Sequence, residues 1–221
     1  MMNNSEIISK TELFVKDKLS SDASGHDWWH IVRVRNLALK IASKEEGNAF
    51  IIELAALLHD VADWKFNNGD ELIGGRVAEK WLKDCKVNEG IISEVVHIVN
   101  HISYKGANTP IGLLSLEGNI VQDADRLDAI GAIGIARTFA YGASKNRPMY
   151  EPDIKPSIHN SFEEYKKSVN PTINHFYEKL LLLKDRMNTQ TAKEIAESRH
   201  LFMEKYLEQF YKEWNSDDFN H

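Results

Sequence analysis

The prolines of this chain are confined to one stretch of sequence, and that restriction decides most of what it can fold into. All five lie between positions 110 and 171, so residues 1–109 and 172–221 contain none. Because proline breaks helix interiors, two long segments remain free to be helical. No strong run of alternating apolar and polar residues marks a strand, and we predict an all-α fold.

Apolar residues recur at the three- and four-residue spacing of buried helix faces. Within residues 27–46, five residues keep that spacing, namely Ile31, Val34, Leu37, Ala38 and Ile41. The same pattern predicts helices over residues 5–20, 27–46, 48–62, 70–84, 88–103, 116–142, 160–188 and 190–215. The third of these segments is apolar enough for us to expect it deep in the core.

We predict one helical domain over residues 1–221, because the chain is long for one average domain and short for two. The core that bears the motifs spans about residues 20–142. A polar loop with prolines follows over about 142–160, and the closing helices span about 160–215. Glycines lie inside the helix predicted at 116–142, and we expect close approach of a neighbouring backbone to offset their cost of roughly 1 kcal/mol each. The closing helices are expected to pack on the bundle or on a second subunit, which would make a homodimer.

Composition limits the class of protein. The formal net charge of −6 argues against broad binding of nucleic acid through a basic face. Cys85 is the only cysteine, so no intrachain disulfide can form, which is compatible with a reducing cytoplasm. The N-terminus lacks a secretory signal, and no apolar run approaches the ~20 residues that span a bilayer. We therefore expect a cytoplasmic protein that acts on a small molecule, with no polymeric nucleic acid and no membrane as partner.

Two histidines and two aspartates have the chemistry of a metal site. His30 lies on a predicted helix, His59 and Asp60 end an apolar run, and Asp125 lies on a later helix. Two imidazoles and two carboxylates can hold one divalent cation and leave room for water and a phosphate oxygen. Burial of a carboxylate is expensive without a counter-charge, which can be a metal or a basic side chain. Taken singly, each residue has an ordinary alternative, such as a surface histidine or a salt bridge to a nearby arginine.

Four segments of the chain resemble the HD-domain superfamily of metal-dependent phosphohydrolases. They are HDWWHIVRV at residues 26–34, LLHDVAD at 57–63, HISYKG at 101–106 and VQDADRLDAIG at 121–131. Together they are similar to a bacterial branch that contains small nucleotide pyrophosphohydrolases, over about residues 20–160. The resemblance implies an HD-domain helical bundle with His30, His59, Asp60 and Asp125 as metal ligands. It also favours manganese, whereas the ligand types alone leave nickel, cobalt, iron, magnesium and zinc open.

Further polar residues near these segments are candidates for catalysis. Asp63 lies three residues after Asp60 and could orient the attacking water or act as general base, and a helix cap or a salt bridge is the alternative. His97 and His101 lie four apart on a predicted helix, where they could contact phosphate, protonate a leaving group, bind a second metal or be structural. We predict Asp63 and His97 as catalytic residues and His101 as a substrate contact.

Binding of phosphate also requires cations and hydrogen-bond donors. Tyr104 and Lys105 closely follow His101, and Arg33 comes three residues after His30. Arg147 lies in the loop with prolines, which could cover a nucleotide or be a solvated surface loop. We predict all four as substrate-binding residues.

The leading hypothesis is a metal-dependent phosphohydrolase that converts a (deoxy)nucleoside triphosphate to a monophosphate and pyrophosphate, with one divalent metal ion as cofactor. A nucleotide phosphomonoesterase or phosphodiesterase is the first alternative, since its metal site could look the same. A metal-containing protein that binds nucleotides without catalysis is the second.

Overall fold

The fold is seen in a computed structural model, which describes residues 2–19, 27–62, 70, 72–102, 114–157 and 170–217. Those residues form α-helices and one 3-10 helix, and no β-strand occurs among them. The predicted all-α fold is therefore confirmed. The described residues divide into two compact units, one up to Asp125 and the other from Arg126 onward. The single domain over residues 1–221 stays a prediction.

The first unit contains the helices that the apolar spacing predicted. Helices α1 to α6 span Asn4–Lys18, Trp28–Glu45, Ala49–Leu58, Ile73–Asp84, Glu89–His101 and Leu116–Asp128. The boundary between the two units falls inside α6. The first five helices follow their predicted ranges, with ends that differ by a few residues.

Polar side chains set where several of these helices begin. Asn3 and Glu6 form a capping box at α1, in which each side chain accepts a hydrogen bond from the backbone N–H of the other. Three more helices have a side-chain N-cap, which is Asp27 at α2, Asn48 at α3 and Asn88 at α5. In each, the side-chain oxygen accepts a hydrogen bond from a backbone N–H of the first turn. Short-range sequence thus determines the start of α2, which carries His30, and of α3, which ends directly before His59.

Helix α3 lies deep in the core of the first unit, as its composition predicted. Ile52 and every residue from 54 to 58 are fully buried, and the helix packs against α1, α2 and α5. Four of the five residues that keep this spacing on α2 are fully buried as well, and Leu37 is half-buried. Burial of one large aliphatic side chain contributes roughly 1.5–3 kcal/mol, so these contacts dominate the packing of α2 on α3.

Two polar contacts join the helices on which the metal-ligand candidates lie. Arg35 Nε of α2 donates to Glu53 Oε1 of α3 at 2.8 Å. The backbone N–H of Asn48, at the start of α3, donates to Glu117 Oε1 of α6 at 3.0 Å. Helices α2, α3 and α6 therefore have polar links in addition to their apolar faces.

The single helix predicted over 116–142 is wrong, because the chain interrupts it. Helix α6 ends at Asp128, and α7 spans Gly131–Ser144. Gly131 has a φ of +76°, which L side chains rarely adopt. A Cβ at Gly131 would also lie 3.0 Å from Cγ of Arg199. The glycine therefore ends one helix and starts the next, which the apolar spacing does not reveal.

The close backbone approach expected at the glycines is confirmed at Gly134. A Cβ there would lie 2.2 Å from the carbonyl oxygen of Ala129. This glycine belongs to the first turn of α7, so its missing side chain lets the turn fold back on the preceding residues.

The second unit holds α7, α8 (Asn174–Glu178), a 3-10 helix (Leu180–Arg186) and α9 (Gln190–Asn215). The closing helix predicted over 160–188 is therefore wrong within its described part, and residues 158–169 lie outside the described residues. Leu180 and Leu183 are both buried, and their three-residue spacing matches a 3-10 turn. The closing helix predicted over 190–215 is confirmed.

Aromatic residues of the closing helices pack inside the second unit. Phe176 is fully buried, and its ring centroid lies 6.2 Å from that of Phe139 and 5.9 Å from that of Tyr206. This is the bundle packing expected from the apolar stripes. Among the described residues, no helix combines the length and the apolar character that a membrane crossing requires.

Candidate metal centre

His30 enters the candidate site from the first turn of α2. Its ring is fully buried, and its backbone N–H donates to Asp27 Oδ1 at 2.9 Å. A buried imidazole needs polar partners, and its Nε2 points at the second histidine of the constellation. The alternative of a surface histidine is therefore excluded for His30.

His59 follows α3 directly, and one hydrogen bond determines which of its ring nitrogens is available. Nδ1 lies 2.8 Å from the carbonyl oxygen of Ala56, and because a carbonyl only accepts, Nδ1 is the donor. In the neutral ring, Nε2 then carries a lone pair. A backbone carbonyl that orients the distal nitrogen in this way is the usual outer contact of a metal-binding histidine.

The four candidate ligands converge in the first unit. The Nε2 atoms of His30 and His59 lie 3.1 Å apart. Asp60 Oδ2 lies 3.4 Å from each of these nitrogens. Asp125 Oδ1 of α6 lies 3.5 Å from His30 Nε2 and 4.0 Å from His59 Nε2. Among the described residues, His30, His59 and Asp60 form a group whose ligand atoms all lie within 4.8 Å of one another.

These separations fit one first-row cation. Two donors that each bind such an ion at about 2.1 Å lie about 3.0–3.4 Å apart, and the closest pairs of this group fall in that range. The exposure of the donors is unequal, since the imidazole side chains are 0% and 2% exposed and the Asp60 and Asp125 carboxylates 27% and 29%. The carboxylate side of the group is therefore more accessible to solvent than the imidazole side.

The electrostatics of the group favour a positive charge between the donors. Burial lowers the pKa of His59, but the charge and hydrogen bond of Asp60, together with the charge of Asp125, outweigh it and raise the pKa to about 9. A proton on the ring and a divalent cation would satisfy the same need for positive charge. The donor set thus fits a bound metal in both spacing and charge.

The predicted residues Arg33, His97 and His101 are described in the first unit. Arg33 lies half-buried on α2, one turn after His30. His97 and His101 lie on the exposed part of α5, with ring centroids 4.3 Å apart. Nδ1 of His101 donates to the carbonyl oxygen of His97 at 2.7 Å, so its Nε2 is directed away from that backbone.

Arg147 follows α7 in the second unit, and its guanidinium lies over the ring of Tyr141, 5.8 Å from the centroid. Its backbone N–H donates to the carbonyl oxygen of Gly142 at 2.9 Å. The predicted residues Asp63, Tyr104 and Lys105 lie outside the described residues, so their roles stay predictions.

Sequence reasoning missed buried or capping polar residues on the helices that carry the candidate ligands. Asp27 caps α2 at His30, as described above. Gln122 is almost fully buried on α6 and donates through Nε2 to the carbonyl oxygen of Ile102 at 3.3 Å, which joins α6 to the end of α5. Asp123 is fully buried on the same helix. The sequence signal that could have identified Gln122 and Asp123 is their position beside apolar residues within a predicted helix.

Comparison with known proteins agrees with this geometry. Residues 28–130 match the HD domain family, and this range includes all four candidate ligands. The crystal structure of an HD-superfamily hydrolase from Bacillus thuringiensis is 50% identical, with a TM-score of 0.75, and the match covers 96% of this chain and 99% of that chain.

A second relative is the uncharacterized protein YpgQ of Bacillus subtilis, which is 39% identical over 204 residues, or 90% of each protein. Its crystal structure in complex with ADP has a TM-score of 0.76 at 36% identity, and the match covers 96% of this chain and 97% of YpgQ. Both relatives extend along nearly the whole chain, well beyond the matched domain. The chain belongs to the HD-domain superfamily of phosphohydrolases.

Proposed function

We propose that this protein is a metal-dependent hydrolase of nucleotides that converts a (deoxy)nucleoside triphosphate to a monophosphate and pyrophosphate. The observation that carries the proposal is that the two imidazole Nε2 atoms lie 3.1 Å apart and that each of the two carboxylates lies within 4.0 Å of both nitrogens. A purely structural helical protein has no need for four such donors side by side.

His30, His59, Asp60 and Asp125 would hold the cation. A divalent ion at such a site lowers the pKa of bound water and polarises a phosphoryl oxygen. We propose manganese as the native metal, because the resemblance to the bacterial HD-domain branch favours it. Nickel, cobalt, iron, magnesium and zinc are the alternatives that reconstitution distinguishes.

The nucleotide part of the proposal is supported by the relative YpgQ, which was crystallised with ADP. A polyphosphate is strongly anionic, so it needs cations and hydrogen-bond donors. We propose Arg33, His101, Tyr104, Lys105 and Arg147 for this role. Of the described members of this set, Arg33 is nearest in sequence to a proposed ligand, one turn after His30 on α2.

The reaction adds one water across the bond between the α and β phosphates. The oxygen of that water forms a new bond to phosphorus as the bridging bond breaks and pyrophosphate leaves. We assign removal of the water proton to Asp63 and protonation of the leaving group to His97. Because phosphoryl transfer needs little covalent chemistry from a protein, positioning and charge neutralisation are the remaining tasks.

A product assay on metal-stripped protein tests the proposal. Each of the six metals is added back separately with a panel of ribo- and deoxyribonucleoside triphosphates, and monophosphate, diphosphate, pyrophosphate and phosphate are resolved. We expect monophosphate with equimolar pyrophosphate, highest with Mn²⁺ and absent in Asp125→Ala. The matched control is Asp84→Ala, because Asp84 is an exposed carboxylate at the end of α4 that pairs with Lys80.

Other products would select the alternatives. Release of inorganic phosphate from a monophosphate, or of a monophosphate from a diester, would indicate a phosphomonoesterase or a phosphodiesterase. Tight nucleotide binding without turnover, across all metals and substrates, would indicate a binding protein. Full activity in Asp125→Ala would contradict the assignment of the metal centre.

A further inference from the structure

Asp27 begins the helix that carries His30. Its Oδ1 accepts a hydrogen bond from the His30 N–H at 2.9 Å, and its carbonyl oxygen lies 3.1 Å from the same nitrogen. Its backbone is extended, with φ −77° and ψ 174°, as expected for an N-cap residue. Asp27 therefore satisfies a backbone donor of the very residue whose imidazole enters the metal centre.

The position of His30 makes it sensitive to this cap. His30 is the third residue of α2, and the N–H groups of a first helical turn have no partner inside the helix. Loss of the cap lets this turn fray. The four donors converge within a few ångströms, and a functional constellation must be held within about 0.5 Å of its productive geometry. Fraying of the first turn of α2 would therefore move the His30 imidazole away from the other three candidate ligands.

We propose that Asp27 is a positioning residue of the metal centre, which holds the first turn of α2 and so keeps His30 in the geometry that binds the cation. Asp27 acts through the His30 backbone rather than as a ligand. The inference rests on the metal centre of the proposed function and extends it to a residue outside the ligand set.

The chain supplies a matched control at α1. Asn3 Oδ1 accepts from the N–H of Glu6 at 3.0 Å, and Glu6 is the third residue of α1, so the contact repeats that between Asp27 and His30. Helix α1 carries none of the four proposed ligands. Asn3→Ala and Asp27→Ala thus remove caps of the same geometry, and only the second changes a turn that bears a ligand.

The test measures the affinity of the full chain for Mn²⁺, added alone, from the electron paramagnetic resonance signal of the unbound ion. We expect Asp27→Ala to weaken the affinity about fivefold or more, the factor that corresponds to loss of a typical N-cap. Asn3→Ala should stay within about twofold of the unmodified chain, although both variants lose a cap and melt at lower temperature. In the metal-free protein, the His30 amide should exchange hydrogen faster in Asp27→Ala and not in Asn3→Ala.

Two further variants separate the hydrogen bond from the charge. Asp27→Asn keeps a short side-chain acceptor and removes the charge, and we expect it to bind Mn²⁺ as the unmodified chain does. Asp27→Glu keeps the charge but is not a good N-cap, and we expect it to bind weakly, like Asp27→Ala. This pair also decides the matter if the alanine variant fails to fold.

Three results would overturn the inference: unchanged affinity in Asp27→Ala, an equal loss in Asn3→Ala, or a loss in Asp27→Asn as large as in Asp27→Ala. An unmodified chain that binds no Mn²⁺ would overturn the metal centre and this inference together. Absence of nucleotide turnover in a chain that binds Mn²⁺ would contradict only the proposed reaction.

Discussion

At the scale of single residues, the candidate site depends on the direction of individual ring nitrogens. The carbonyl oxygen of Ala56 holds Nδ1 of His59, so Nε2 of that ring faces His30 and the two carboxylates. The identity of the candidate ligands was predicted from the sequence motifs, because imidazole and carboxylate are the groups that such a metal site requires. The choice of nitrogen does not follow from them, since it depends on a backbone carbonyl three residues earlier.

Asp125→Asn tests how much the negative charge of this carboxylate contributes to metal binding, with almost no change in side-chain volume. We expect the affinity for Mn²⁺ to fall at least about 10-fold, because loss of a ligand costs no less than loss of an outer contact. A titration followed by the signal of unbound Mn²⁺ measures the change. Asp84→Asn, at an exposed salt bridge, should bind as the unmodified chain does. Equal affinity in both variants would rule out Asp125 as a ligand.

Cys85 provides a pH-dependent probe of the folded state. The thiol is buried, and this desolvation raises its pKa. Because the folded-state pKa is the higher one, the thiol's contribution to stability is fully present below the unfolded value of about 8.5 and is lost as pH rises through the folded-state pKa.

We therefore expect iodoacetamide to alkylate Cys85 slowly at pH 8.5, and the rate to reach its half-maximum at a higher pH than in urea-unfolded protein. Mass spectrometry follows the reaction, and Cys85→Ser is the blank because the chain has one cysteine. Identical pH profiles in folded and unfolded protein would show that burial does not perturb this thiol.

At the scale of helices, the end of α6 is fixed by residues outside that helix. Arg199 of α9 donates to the carbonyl oxygen of Leu127. Arg137 of α7 donates to the carbonyl oxygen of Asp128 at 3.5 Å and forms a 2.8 Å salt bridge with its carboxylate. Terminal carbonyls of a helix need such donors. Local spacing predicted the helical character of this region, but the arginines and the positive φ of Gly131 decide where α6 stops.

Gly131→Ala tests the break between α6 and α7. We expect a loss of about 1–2 kcal/mol in the free energy of unfolding, because a side chain at positive φ is strained, with a further loss from displacement of Arg199. Urea denaturation measures it. Gly74→Ala is the control, since a Cβ in that helical position would make ordinary contacts at 3.4 Å or more. Gly74→Ala should be as stable as the unmodified chain or more so, and an equal loss in both variants would contradict this account.

At the scale of the whole molecule, the proposed cation would join donors from three helices and so stabilise the fold. At 100 times its dissociation constant, a ligand that binds only the folded state stabilises it by about 2.7 kcal/mol. For a chain of this size we expect Mn²⁺ to raise the melting temperature by about 5–10 °C. Differential scanning calorimetry with and without a chelator measures the shift. An equal shift in Asp125→Ala would place the stabilising ion elsewhere.

The sequence by itself determined the helical class, most helix positions and the residue types of the candidate metal centre. Helix formation depends on short-range properties, namely the absence of proline, the spacing of apolar residues and the polar caps at the first turn. For that reason α1 to α5 and α9 lie close to their predicted ranges. The resemblance of four segments to one superfamily is likewise a property of the sequence, and the comparisons confirm it.

Only the tertiary structure decided how those residues meet. The 3.1 Å separation of the His30 and His59 nitrogens and the position of Asp125 beside them arise from the packing of α2, α3 and α6. The interruption at Gly131 is also a tertiary effect, because it places the glycine against Arg199. Distances between residues far apart in the chain depend on which buried faces pack together. The spacing of residues along one helix does not predict them.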